Sequence, residues 1–137
     1  MSNKRDAINE MHRVFEGVSP IKVVRRVYDV DETVPPNGYT GVWEVYWKTG
    51  KIHSRTIYID DREFGPFVCG WENGNPAQVG MKWDGESVGV WTDYYQDGTK
   101  SCEGVMGPNG REGEWSFVDI RGNMTRRIFK DGVETTL

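Results

Sequence analysis

Apolar and polar residues alternate along this chain in short runs, and each run stops at a glycine. In Gly41-Val42-Trp43-Glu44-Val45-Tyr46-Trp47, the residues Trp43, Val45 and Trp47 fall on one side of an extended strand and Glu44 and Tyr46 on the other, because successive strand side chains point to opposite faces. The frame recurs. A glycine opens it, an aromatic follows two residues later, and a second glycine closes it: Gly41, Trp43 and Gly50; Gly65, Phe67 and Gly74; Gly89, Trp91 and Gly98; Gly113, Trp115 and Gly122. Successive copies start 24 residues apart, and a fixed period in this range marks a repeat architecture.

Each copy holds two turn signals. The first is Thr49-Gly50, Asn73-Gly74, Asp97-Gly98 or Arg121-Gly122, and the second lies near Asp60-Asp61, Asp84-Gly85, Asn109-Gly110 and Asp131-Gly132. Asn-Gly and Asp-Gly favour the two-residue type I′ turn, whose central residues both need positive φ. The predicted fold is therefore mainly β, a single domain built as an antiparallel β-meander of hairpin repeats over 41–64, 65–88, 89–112 and 113–136. The sheet is expected to be open, elongated or curved; a closed barrel of eight to ten strands is the alternative.

Ahead of the repeats, Val34 to Gly41 matches Met106 to Gly113 at an offset of 72 residues, so 18–40 reads as a degenerate capping repeat, with one or two strands in the β-branched stretch from Ile21 to Val34. Residues 1–17 are predicted to form a short helix. Ile8, Met11 and Phe15 share a stripe, Asn3 is placed to cap it, and Gly17 and Pro20 stop it.

With a two-residue loop at each first turn, Val45 pairs with Ser54 and Trp47 with Ile52. One face then carries Trp43, Phe67, Cys69, Trp71, Trp91, Tyr95, Met106, Trp115, Phe117, Met124 and Ile128, and is the better core. The other carries Glu44, Tyr46, His53, Arg55, Tyr94, Glu103, Glu114 and Arg127, with Ile57, Ile59, Val79, Met81 and Trp83 among them. Either a bulge re-aims those apolar residues or they form an exposed strip. Cys69 and Cys102 fall three strands apart, roughly 14 Å at the usual strand spacing, beyond disulfide reach, so two free thiols are expected.

Composition narrows function mainly by exclusion. The 137 residues carry a net charge of −4, which gives no electrostatic reason to expect nucleic acid or an anionic membrane as partner. No stretch is long and apolar enough to span a bilayer and no signal-peptide core follows Met1, so a cytoplasmic location is expected. Neither cysteine has C-x-x-C spacing, and His12 and His53 lie on different elements without metal-ligand spacing. Asp29 to Glu32 and Asp60 to Glu63 read as turn acids, not calcium loops. Arg25-Arg26 and Arg126-Arg127 read as solvated edges. No nucleophile, base or phosphate loop is selected, so no cofactor and no enzyme activity are expected.

The aromatics carry the strongest signal. Trp43, Phe67, Trp91 and Trp115 recur at one position and read as a stacked core ladder. Tyr46, Trp83 and Tyr94 do not recur so regularly and share the more charged face with Arg55. These four are the candidate partner-binding residues.

The copies Gly41 to Lys51 and Gly89 to Gly98 carry the pattern Gly-Val-Trp-x-x-Tyr-Trp/Tyr-x-x-Gly, followed by a strand and a second turn. This resembles the variant MORN repeat of bacterial antitoxin-component-like proteins, over roughly 96 residues at four periods. The copy at 65–74 has Gly70-Trp71, and that at 113–122 has Val118-Asp119, where the others have two aromatics. The resemblance implies stacked hairpins serving as a scaffold or protein-binding surface, with a toxin, effector or enzyme as partner. A non-catalytic protein-binding module, of the antitoxin, immunity or inhibitor kind, is the leading expectation. A glycan- or cell-wall-binding module and a ligand-binding barrel are the alternatives. Exposed terminal strands make a homodimer through sheet edges a further expectation.

Overall fold

The computed structural model describes residues 23–28 and 34–135, so the helix expected over 1–17 lies outside the described residues. Ten strands form one sheet in strict sequence order: β1 (Val23–Val27), β2 (Gly41–Tyr46), β3 (Ile52–Ile59), β4 (Arg62–Gly70), β5 (Pro76–Trp83), β6 (Glu86–Tyr94), β7 (Lys100–Gly107), β8 (Gly110–Val118), β9 (Met124–Lys130) and β10 (Val133–Thr135). From β2 onward every pair is antiparallel, as the meander requires. The sheet is open, with β1 and β10 as its edges, and the closed barrel is not formed. β1 departs from the expected pattern. It caps the edge of β2 but runs parallel to it, Val23 beside Val42 and Val27 beside Tyr46. Every other neighbouring pair in the sheet is antiparallel, so β1 meets β2 in a different sense from the strands of the repeats.

The turns reverse the expected assignment. At the first turn of the third repeat, the Tyr95 N–H donates to the Thr99 carbonyl at 2.8 Å and the Gly98 N–H to the Tyr95 carbonyl at 3.0 Å. Only Gly98 of that loop is left-handed, at φ 92°. This is a three-residue loop ending in a left-handed glycine, and the same bonds recur at Gly50, Gly74 and Gly122. Two-residue loops with both φ positive sit instead at the second turns: Asp60-Asp61, Asp84-Gly85 and Asp131-Gly132.

The longer loop shifts the pairing by one residue, and in three repeats a bulge shifts it back. Tyr46 pairs with Ile52 but Val45 with Ser54, leaving His53 as the extra residue; Ala77 and Ser101 play the same part further on. The expected Val45–Ser54 register is thus observed, while His53 is not a regular solvent-face residue. It stacks on Tyr28 at 4.4 Å between ring centroids and lies 4.5 Å from Trp47, and burial lowers its pKa.

The fourth repeat has no such bulge: Trp115 pairs with Arg127 and Gly113 with Phe129. A slip of one residue exchanges the two faces of a strand. Met124 and Ile128, expected on the core face, therefore lie on the other, and Met124 is 58% exposed. Phe129 and Arg127 take their place; Phe129 is buried, and the Arg127 guanidinium lies 5.0 Å from the Phe117 ring.

A second irregularity explains the Gly-x-aromatic motif. Between β5 and β6, Val79 pairs with Thr92 and Met81 with Val88, so Gly80 alone faces Gly89, Val90 and Trp91. Gly89 turns the strand at φ 70°, and the Trp91 ring covers Gly80 so closely that a Cβ there would lie 2.2 Å from it. Gly104 beneath Trp115 repeats this, at 2.1 Å, and Thr56 opposite Gly65 to Phe67 is the version with a smaller ring.

Trp91, Cys102, Trp115 and Phe129 form the main core, with Phe67, Met106 and Phe117 packed on it. Trp43 belongs to a second cluster with Tyr39 and Val45 near β1. On the opposite face Val42 and Ile57 are buried together with Ile59 against them, Met81 is 1% exposed, and Trp83 meets Phe64 edge-on at 5.1 Å. Val79, Val90 and Val105 of that face are exposed. The apolar strip is thus partly a small core and partly open surface. Cys69 on β4 and Cys102 on β7 are free thiols.

Thr92, buried on this second face, donates to Glu103 Oε2 at 2.6 Å, and that bond first, then Lys100, holds the Glu103 carboxyl below its ordinary 4.5. A depressed carboxyl contributes stability that is present above the unfolded pKa and lost as pH falls through the folded one. Thr92→Val is expected to cost most at neutral pH, with the gap to wild type narrowing below pH 4.5; urea unfolding across pH 3 to 7 checks this.

Candidate binding cleft

Alternation on β5 places Gln78, Gly80 and Lys82 on the aromatic face, opposite to Val79, Met81 and Trp83. Lys82 reaches over two of the repeat aromatics, its Nζ 5.5 Å from the Phe67 ring centroid and 5.3 Å from that of Trp91. Arg111, at the start of β8, does the same one repeat on. Its guanidinium lies 4.8 Å from Trp115, 5.3 Å from Phe117 and 5.4 Å from Phe129. Cations over ring faces are attracted by the ring quadrupole.

Between these two cations the face opens into a cleft of about 280 Å³. Phe67, Trp91, Trp115 and Met106 form its floor, and Gln78, Lys82, Ser87, Asp93 and Arg111 its sides. The floor is mostly covered, with Trp91 6% and Trp115 3% exposed. Each indole N–H is satisfied by a backbone carbonyl, Trp91 by Val88 at 3.1 Å and Trp115 by Val105 at 3.0 Å. What the cleft presents is therefore its polar sides. Both oxygens of Asp93 are engaged, Oδ1 by the Gln78 amide at 2.9 Å and Oδ2 by the Cys102 thiol at 3.4 Å. Lys82 Nζ donates to Ser87 Oγ at 3.3 Å. Among the described residues neither Lys82 nor Arg111 forms an ion pair.

Burial, reinforced by the Asp93 charge and hydrogen bond, pushes the Cys102 thiol up to about 11 from 9.0. Burial likewise raises Cys69. The thiolate is the reactive form, and this shift holds Cys102 as the unreactive thiol at neutral pH. Its iodoacetamide labelling in the native protein at pH 8 is expected to be about 100-fold slower than in urea, the ratio two pKa units give; mass spectrometry of labelled peptides reads this.

The four residues singled out from the sequence lie elsewhere. Tyr46 and Arg55 come together around Glu44, which is buried at 8% exposure. The Tyr46 hydroxyl and Arg25 donate to Oε1 at 3.1 and 2.9 Å, and Arg55 to Oε2 at 3.1 Å. That cluster is internally satisfied. Trp83 packs on Phe64 beside the Asp84-Gly85 turn, while Tyr94 pairs with Lys100 beside the first turn of its repeat, at the other end of the strands. They do not form one site. Lys82 and Arg111 were missed, although placing Val79, Met81 and Trp83 on one face already placed Lys82 on the other.

At the first-turn end the hairpins are tied across the period. Trp47 donates to the Gly70 carbonyl at 2.9 Å, Trp71 to Tyr94 at 3.2 Å and the Tyr95 hydroxyl to Val118 at 2.5 Å. Asp119 ends the series by accepting from Arg121 and Asn123 of its own turn. A depression of about 720 Å³ beside that last turn is lined by turn residues, including the exposed Ile120 and Met124. Among the described residues no group of three His, Cys, Asp or Glu is placed to hold a metal ion, and no helix is long and apolar enough to cross a membrane.

No protein-family model matches the chain, and no curated protein matches it. Among solved structures, it is similar to a chain of the Glycosylation Associate Protein (Gap123) complex from Streptococcus agalactiae, at 14% identity and a TM-score of 0.39 over 90% of this chain. The matched region spans 22% of that chain. A likeness at this level bears on neither function nor partner.

Proposed function

We propose that this chain is a non-catalytic, protein-binding β-repeat module of the variant MORN kind, and that its partner docks on the aromatic face over the Lys82–Arg111 cleft. The observation that carries this is the state of that face. A single-layer sheet presents it, and among the described residues no second layer covers it and two cations on it have no ion-pair partner. Partner surfaces commonly use arginine as an anchor and surround it with polar groups. That the partner is a toxin, effector or enzyme that the module restrains follows from the resemblance of the repeats.

A glycan-binding role is the second reading, favoured by the Gln78–Asp93 pair beside aromatic rings. Sugar stacking needs an open ring face, and Trp91 and Trp115 are too covered to supply one. Affinity capture from the native host is expected to recover one protein at stoichiometric yield. Retention on polysaccharide beads with no protein captured would favour the glycan reading instead.

A further inference from the structure

We infer that the group received between Lys82 and Arg111 is a carboxylate, an aspartate or glutamate side chain of the partner protein. The inference rests on the protein-binding reading and adds the chemistry of the contact.

Three observations carry it. First, the carboxylate the cleft already contains does not serve these cations: Asp93 accepts from Gln78 and from the Cys102 thiol, and no ion pair joins it to either cation. Second, the cations retain donor capacity. Lys82 has three donors and uses one on Ser87. Arg111 offers a planar fork of five, and no hydrogen bond to its side chain is present among the described residues. The fork matches a carboxylate in bidentate geometry. Third, the cleft is small. About 280 Å³ admits a side chain and leaves no room for a helix.

The setting strengthens the contact. Both cations are half-buried over aromatic rings, where water competes less for them and a hydrogen-bonded ion pair gains more than at an open surface. Net charge does not oppose it. The −4 of the whole chain acts on a partner only within a Debye length of about 8 Å at physiological salt, and the charges at the cleft itself are two positive and one negative.

The test is an NMR titration of the full chain, read at the indole N–H signals of Trp91 and Trp115. The probes are a short blocked peptide with two adjacent glutamates, its glutamine counterpart, and free glucuronate. The glutamate peptide is expected to shift both signals saturably and the glutamine peptide not at all. In Lys82→Met, which keeps the aliphatic stem over the rings, affinity is expected to fall about tenfold or more. Arg111→Gln should do the same if its thermal unfolding shows it folded; Lys82→Met suffices if it does not. No saturable shift, an equal response to glutamine, unchanged affinity in Lys82→Met, or tighter binding of glucuronate than of the peptide each overturns the inference. The two proposals fail separately. A protein captured equally well by wild type and Lys82→Met removes the carboxylate contact and leaves the protein-binding reading. Carboxylate binding without any captured protein does the reverse.

Discussion

Gly104→Ala is expected to destabilise the protein by about 1–3 kcal/mol, toward the upper end of what overpacking costs. The backbone is not the reason. Gly104 lies outside the left-handed region, so alanine fits its conformation, and at an unobstructed site the change would stabilise by about 0.4–1 kcal/mol. The obstacle is the Trp115 ring, whose Cδ2 would lie 2.1 Å from the new Cβ. The ring has little freedom to yield, since its N–H is bonded to the Val105 carbonyl at 3.0 Å and its face lies under Arg111. The first repeat shows the compatible combination, Thr56 opposite the smaller Phe67. Trp115→Phe in the Gly104→Ala background should therefore recover part of the loss, with a coupling of about 1 kcal/mol in a double-mutant cycle. Urea unfolding of the four proteins measures it. Additive effects would mean that the ring and the glycine are not paired as described.

Trp91→Ala is expected to cost about 3–5 kcal/mol. The ring is buried, contacts Phe67 at 5.8 Å between centroids and sits directly on Gly80. Truncation leaves a void whose opposite wall is a glycine, so no side chain on that wall can fill it and much of the cavity cost is retained. The same logic predicts a change of sign. Gly80→Ala alone destabilises, because its Cβ would lie 2.2 Å from the ring, but in the Trp91→Ala background it fills space and stabilises. Denaturant midpoints at matched m-values decide this. A loss under about 1 kcal/mol for Trp91→Ala, below the range for a buried tryptophan, would show that the aromatic face does not hold the sheet together.

Much of this fold was legible because the spacing of turn signals reports strand length directly. The two turn signals of each period mark where β4 to β8 begin and end, and the recurring aromatics mark core positions. Gly65, Gly89 and Gly113, which open the frame, lie inside β4, β6 and β8. What escaped is physical in each case. Asp97-Gly98 suits either a two-residue turn or a three-residue loop, and only the hydrogen bonds of Tyr95 choose. The loss of the bulge in the fourth repeat leaves no mark on the motif, yet it exchanges Ile128 for Phe129 on the core face. That β1 runs parallel to β2 is something strand propensity does not encode. At the candidate site, Lys82 and Arg111 occur once each and not in every repeat, so a search guided by recurrence passes over them. Tyr46 and Arg55 look free in the sequence because alternation puts Glu44, the charge they serve, on the polar face, and only the fold shows it buried.

The claim that the partner sits on the aromatic face is tested most directly by site-specific photo-crosslinking in cells of the native host. A photoreactive residue replaces Ser87 at the cleft in one variant and the exposed Val105 on the opposite face in another. The prediction is a single crosslinked protein from position 87, competed away by unlabelled wild type, and none from position 105. The same crosslink from position 105 alone, with both variants folded, would place the partner on the opposite face and contradict the account.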